Sequence, residues 1–128
     1  MALLMTLHGY VAYAVLIAAV TLAGVSGYYL ATRRAPSRGL VTLMWVGEAL
    51  VIAQAVLGAL LWLPGLRAPN DFHYLYGLIA PLVIPAFYAV GRRDQRLLPL
   101  WLLLAALVVL GMGLRSFATA GRSLIPGL

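Results

Sequence analysis

The chain has no cysteine and no lysine, and its 128 residues include only three acidic side chains (Glu48, Asp71 and Asp94) and two histidines (His8 and His73). Without cysteine there are no disulfides, no thiolate nucleophile and no cysteine-ligated metal or iron–sulfur cluster. No paired carboxylates, serine triad or phosphate-binding loop appear. The nine basic residues are all arginine, and the net charge of +6 is concentrated in short loops, so it speaks of membrane topology and lipid headgroups. Nucleic acid would need a basic face, and none is present. Polar residues are also too few to coat a soluble globule: 64% of the chain is hydrophobic, which points to an integral membrane protein. The N-terminus lacks a charged leader and a small-residue cleavage site, so the first apolar run is expected to stay as a helix.

What is present is long apolar sequence. A helix needs roughly 20 apolar residues to cross the hydrocarbon core, and four stretches qualify, at about 4–30, 40–63, 72–90 and 97–117, with a tail over 118–128. The expected architecture is all-α, an integral membrane four-helix up-down bundle in a single domain. Proline and glycine punctuate the connections, at Pro36 and Gly39 and again at Pro64, Gly65 and Pro69. Asn70 or Asp71 is placed to cap the third helix through a side-chain oxygen. Pro81 and Pro85 lie inside that helix and should bend it. Tyr28, Tyr29, Trp45 and Trp62 fall near helix ends, as interfacial aromatics do.

The arginines set the orientation. Arg33, Arg34, Arg38, Arg92, Arg93 and Arg96 fall in the connections on one side, and Arg67, Arg122 and Arg115 toward the other. The positive-inside rule then places both termini on the outer side of the membrane, taken here as a prokaryotic inner membrane. His8 and His73 both fall toward that outer face, on the first and third helices, which face each other across an up-down bundle. One turn inward from His8 is Ala12. One turn inward from His73 is Gly77, with Ala80 next on the same face. Small residues beside two histidines leave room for a flat macrocycle, and haem iron is commonly held by axial histidine. Arginine forms forked bonds to carboxylates, so Arg115, Arg67 and Arg122 are the candidates for the haem propionates. Depth counts against the pair: His8 is 25 residues from Arg33, about 37 Å of helix, and His73 is 19 from Arg92, about 28 Å, a mismatch of roughly 9 Å. The competing reading is that each histidine bonds water or lipid phosphate at the interface.

His8 on one helix, Gln54-Ala55-Val56-Leu57-Gly58-Ala59-Leu60 on the next and His73 opening a third resemble one half of the haem A synthase family. In that family each half is a four-helix bundle with two histidines at about this separation. The resemblance covers roughly residues 7–90 and implies b-type haem held by His8 and His73 as iron ligands. Two departures turn the expectation from the synthase reaction toward haem binding alone. There is one bundle instead of two, and Met5 and Asn70 stand where the family places a carboxylate three residues before a histidine. The function expected is electron transfer or haem handling near the outer face, with no catalytic residue assigned. The alternative is a cofactor-free accessory subunit of a larger respiratory or photosynthetic complex. The lipid bilayer is the first partner, other membrane subunits or a second copy are the further ones, and nucleic acid is not among them.

Two other polar residues lie within the second helix. Glu48 is costly there as an ion and should find a partner such as Thr42 or Tyr88, be neutral, or act in proton transfer. Gln54 either lines a cofactor pocket or bonds another helix. Gly24 with Gly27, Gly58, and Gly111 with Gly113 are read as close-packing positions. Tyr10, Tyr13, Tyr74 and Tyr76 are read as an aromatic belt, with a bond to a propionate as the sharper possibility.

Overall fold

The computed structural model describes residues 1–120. It contains four helices: α1 (Ala2–Ala31), α2 (Arg38–Trp62), α3 (Phe72–Gly91) and α4 (Leu98–Thr119). All four are long and apolar enough to cross a membrane. The first of them extends for 30 residues, ~45 Å at 1.5 Å per residue, longer than a bilayer's hydrocarbon core.

Local chemistry explains where the helices stop. The end of α1 is a Schellman turn: the Arg34 N–H donates to the Tyr29 carbonyl (3.1 Å) and the Arg33 N–H to that of Leu30 (3.3 Å). The motif needs a left-handed residue, and that residue is Arg33, with φ 51°. Four residues later Ser37 caps α2, its Oγ accepting from the Leu40 N–H at 3.2 Å. The Tyr29 hydroxyl donates to the same oxygen at 2.7 Å and ties the two helix ends together. Helix α2 therefore starts at Arg38, and Gly39, expected in the turn, belongs to its first turn. At the start of α3, Asn70 Oδ1 accepts from the Phe72 N–H at 2.9 Å, while Asp71 makes no side-chain cap bond. Capping falls to Asn70 because Asp71 already has helical backbone angles (φ −63°, ψ −25°), from which its carboxylate does not reach the next N–H groups. Helix α3 runs through Pro81 and Pro85, which lack the N–H groups that would bond the carbonyls of Gly77 and Pro81. Asp94 Oδ1 accepts from the Arg96 N–H at 2.9 Å in the last connection, and Pro99 occupies the first turn of α4.

The helices pack in the order α1, α2, α3, α4 and back to α1, so α1 and α3 are diagonal partners. The core is aliphatic, with Leu22, Leu40, Met44, Leu98, Leu102, Ala105 and Ala106 at its centre. At the α1–α4 seam, a Cβ added at Gly113 would lie 2.7 Å from Leu16 Cδ2, and the Tyr13 and Phe117 rings meet at 5.1 Å. At the α3–α4 seam, a Cβ at Gly91 would lie 2.8 Å from Trp101 Cβ. The α2–α3 seam is the loosest of the four and carries the Trp45–Tyr88 ring contact at 5.5 Å. Gly24, Gly27 and Gly111 do not behave as close-packing positions, since a Cβ at any of them would meet nothing within 4 Å.

Candidate functional site: a histidine pair across the bundle

The two histidines meet. His8, in the second turn of α1, and His73, in the first turn of α3, have ring centroids 6.1 Å apart with their planes at 67°. Both are partly buried. The mismatch of roughly 9 Å obtained by counting residues assumes that α1 and α3 start flush at their inner ends and run parallel. In the structure α4 sets the register of both helices. Leu16 and Tyr13 of α1 pack on Gly113 and Phe117, and the His73 ring of α3 bonds the carbonyl of Ser116. The two rings are thereby brought beside the same end of α4.

The partners of the rings set their chemistry. His73 Nδ1 is 3.2 Å from the Ser116 carbonyl oxygen. A carbonyl only accepts, so Nδ1 carries the proton and, in the neutral ring, Nε2 keeps a lone pair. Metal-bound histidines are oriented in this way, through the ring nitrogen that does not touch the metal. His8 Nε2 is 3.3 Å from Gln54 Nε2 of α2. Two nitrogens bond here when the amide N–H donates to an unprotonated ring nitrogen, which puts the His8 proton on Nδ1. Gly58, one turn beyond Gln54, backs the same ring: a Cβ there would lie 3.3 Å from His8 Cε1. Beside His73, a Cβ at Gly77 would meet nothing within 4 Å, so the space one turn below that ring is open. Ala12 is partly buried one turn below His8.

Of the remaining candidates, Tyr74 meets a histidine ring, lying edge-on to His73 with centroids 6.1 Å apart. Arg67 is exposed and lies over the Trp62 ring, 4.4 Å from its centre. Arg115 is exposed on α4, one residue before the Ser116 that holds His73. Arg122 lies outside the described residues. Among the tyrosines, Tyr74 accepts the Ala68 N–H at 2.6 Å and pins the α2–α3 connection, Tyr76 stacks on Phe72, and Tyr10 is 70% exposed. Glu48 is 4% exposed, and its Oε2 has no hydrogen-bond partner, so neither Thr42 nor Tyr88 satisfies that oxygen. Tyr88 packs on Trp45 instead.

No sequence signal marks the Ser116 carbonyl, because every residue has one, or Gly58 as the wall behind His8. Gln54, which from the sequence either lines a cofactor pocket or bonds another helix, makes the helix contact, reaching His8 of α1.

The donor set limits the class of ligand. Among the described residues no three histidines, cysteines or carboxylates cluster as a metal-ion site. Two imidazoles alone suit a metal that brings its own equatorial ligands, as a porphyrin does. The fold and the pair together define a four-helix membrane bundle with a diagonal histidine pair near one end. No protein-family model matches the chain, and neither a curated protein nor a solved structure gives a match.

Proposed function

We propose that this chain is a b-type haem-binding membrane protein in which His8 and His73 are the two axial ligands, serving electron transfer or haem handling near the outer face of the membrane. The observation that carries the proposal is the 6.1 Å separation of the two rings. Imidazole nitrogens bind first-row metals at about 2.0–2.1 Å, and each ring centre lies roughly 1 Å behind its ligating nitrogen. Two such rings on opposite sides of one ion are therefore about 6 Å apart. The resemblance of His8, Gln54–Leu60 and His73 to one half of a haem A synthase supports the same assignment. Open space at Gly77 and the loose α2–α3 seam suit the entry of a flat ring. Arg115 and Arg67 stand exposed toward the same end, where propionates would point to water.

Haem supplies one-electron redox chemistry when bound. The residues of the chain would hold the iron from both sides, leaving no position for oxygen or substrate, and this favours electron transfer over oxygenation. The test is an absorption spectrum of the detergent-purified protein from haem-replete cells, oxidised and then reduced with dithionite. Sharp Soret and α bands that vanish in both His8→Ala and His73→Ala are the expected result. A colourless wild-type protein overturns the proposal, and a protein that purifies only with other subunits turns the reading to an accessory role.

A further inference from the structure

The two histidines are not equally ready for a metal. His73 already has the arrangement of a ligand, with Nδ1–H on the Ser116 carbonyl and Nε2 carrying the lone pair. His8 does not, because the lone pair of its Nε2 is taken by the Gln54 amide. Gln54 has a second end, and its Oε1 is buried without a hydrogen-bond partner. A buried acceptor left unpaired is costly, so this oxygen favours any arrangement that brings it a donor.

Resting on the haem reading above, we infer that Gln54 is a positioning residue that exchanges its two ends on His8 as haem loads. In the structure its amide N–H holds Nε2. When Nε2 turns to the iron, the Nδ1–H of the same ring comes to Gln54 Oε1, and the unsatisfied acceptor gains its donor. His8 keeps one tautomer throughout, with the proton on Nδ1, so no proton has to enter or leave the apolar interior. The loaded His8 then mirrors His73, each ring donating Nδ1–H to an oxygen. Gly58 supports the turn, since a side chain 3.3 Å from His8 Cε1 would crowd it. His73 would therefore be the first of the two residues to hold the iron, and His8 the second.

The experiment compares wild type, Gln54→Leu and Gln54→Glu, each titrated with hemin in detergent and read by spin state and affinity. Gln54→Leu removes the acceptor and should weaken haem binding about 10- to 100-fold, the range for partners of metal-bound histidines. It should also leave a high-spin fraction held by His73 alone. Gln54→Glu keeps an acceptor and should restore the low-spin six-coordinate spectrum, which a merely structural role would not predict. In haem-free protein with ¹⁵N-labelled histidine, Gln54→Leu should move the His8 Nε2 resonance and leave that of His73 in place. A loaded wild type whose affinity and spin state are unchanged in Gln54→Leu overturns this inference alone. A wild type that takes up no haem overturns both readings.

Discussion

At Gly91 an added Cβ would lie 2.8 Å from the Cβ of Trp101, an atom fixed to its own helix, whereas at Gly113 it would lie 2.7 Å from Leu16 Cδ2, the tip of a flexible side chain. The distances are nearly equal and the consequences are not. Gly91→Ala forces α3 away from α4 and should cost about 1–3 kcal/mol, the range for overpacking a core. Gly113→Ala asks only that Leu16 change rotamer, and the helix preference for alanine over glycine, about 1 kcal/mol, offsets most of that. Thermal unfolding in detergent should rank Gly91→Ala well below wild type and Gly113→Ala close to it, and the reverse order would contradict this packing. The same comparison shows what a glycine pattern leaves unsaid. Gly24, Gly27 and Gly111 look like packing positions in the sequence, yet they face open space, because a missing side chain does not reveal what lies opposite. His8 and His73 were legible as candidates since histidine is scarce in this chain, while the partner of His73 was not, being a backbone carbonyl. Gln54 stood out as a polar residue in an apolar helix, but its bond to His8, 46 residues away, did not.

Among the elements, the helices themselves were almost wholly legible, because four apolar runs of membrane-spanning length separated by proline, glycine and arginine allow little else. Their ends shifted by a few residues where side-chain bonds decide the boundary, as at Ser37 and Asn70. The α1–α2 hairpin carries a left-handed arginine where glycine is the usual choice, and that conformation costs a side-chain-bearing residue about 1–2 kcal/mol. Arg33→Gly should therefore raise the melting temperature, and a fall would show that the Arg33 side chain contributes more than its backbone strain takes away. The opposite result is expected of Ser37→Ala, which removes the cap on Leu40 and the acceptor of the Tyr29 hydroxyl. Loss of a cap costs about 1 kcal/mol, and the orphaned phenol adds to it, so this variant should melt below wild type.

For the whole molecule the least legible quantity was the relative depth of the helices. Rise per residue measures each helix separately, and only contacts with α4 bring His8 and His73 level. Which face of the membrane the pair lies toward is a separate matter and follows from charge. Arg33, Arg34, Arg38, Arg92, Arg93 and Arg96 gather at the α1–α2 and α3–α4 connections, while the α2–α3 connection holds Arg67 alone. Arginines in short loops stay on the cytoplasmic side during insertion, so the α2–α3 connection and the histidines are expected outside. The absence of cysteine makes this directly measurable, since a single introduced thiol has no background. In spheroplasts, Pro69→Cys should react with a membrane-impermeant maleimide before lysis, and Gln95→Cys only after it. Both positions are exposed, so unequal labelling reports sidedness and not burial. Labelling of Gln95→Cys before lysis, with Pro69→Cys protected, would invert the bundle and move the histidine pair to the cytoplasmic face. Under the proposed haem reading, exchange would then be with cytoplasmic donors, whereas the orientation expected from the arginines leaves the pair open to partners outside the membrane.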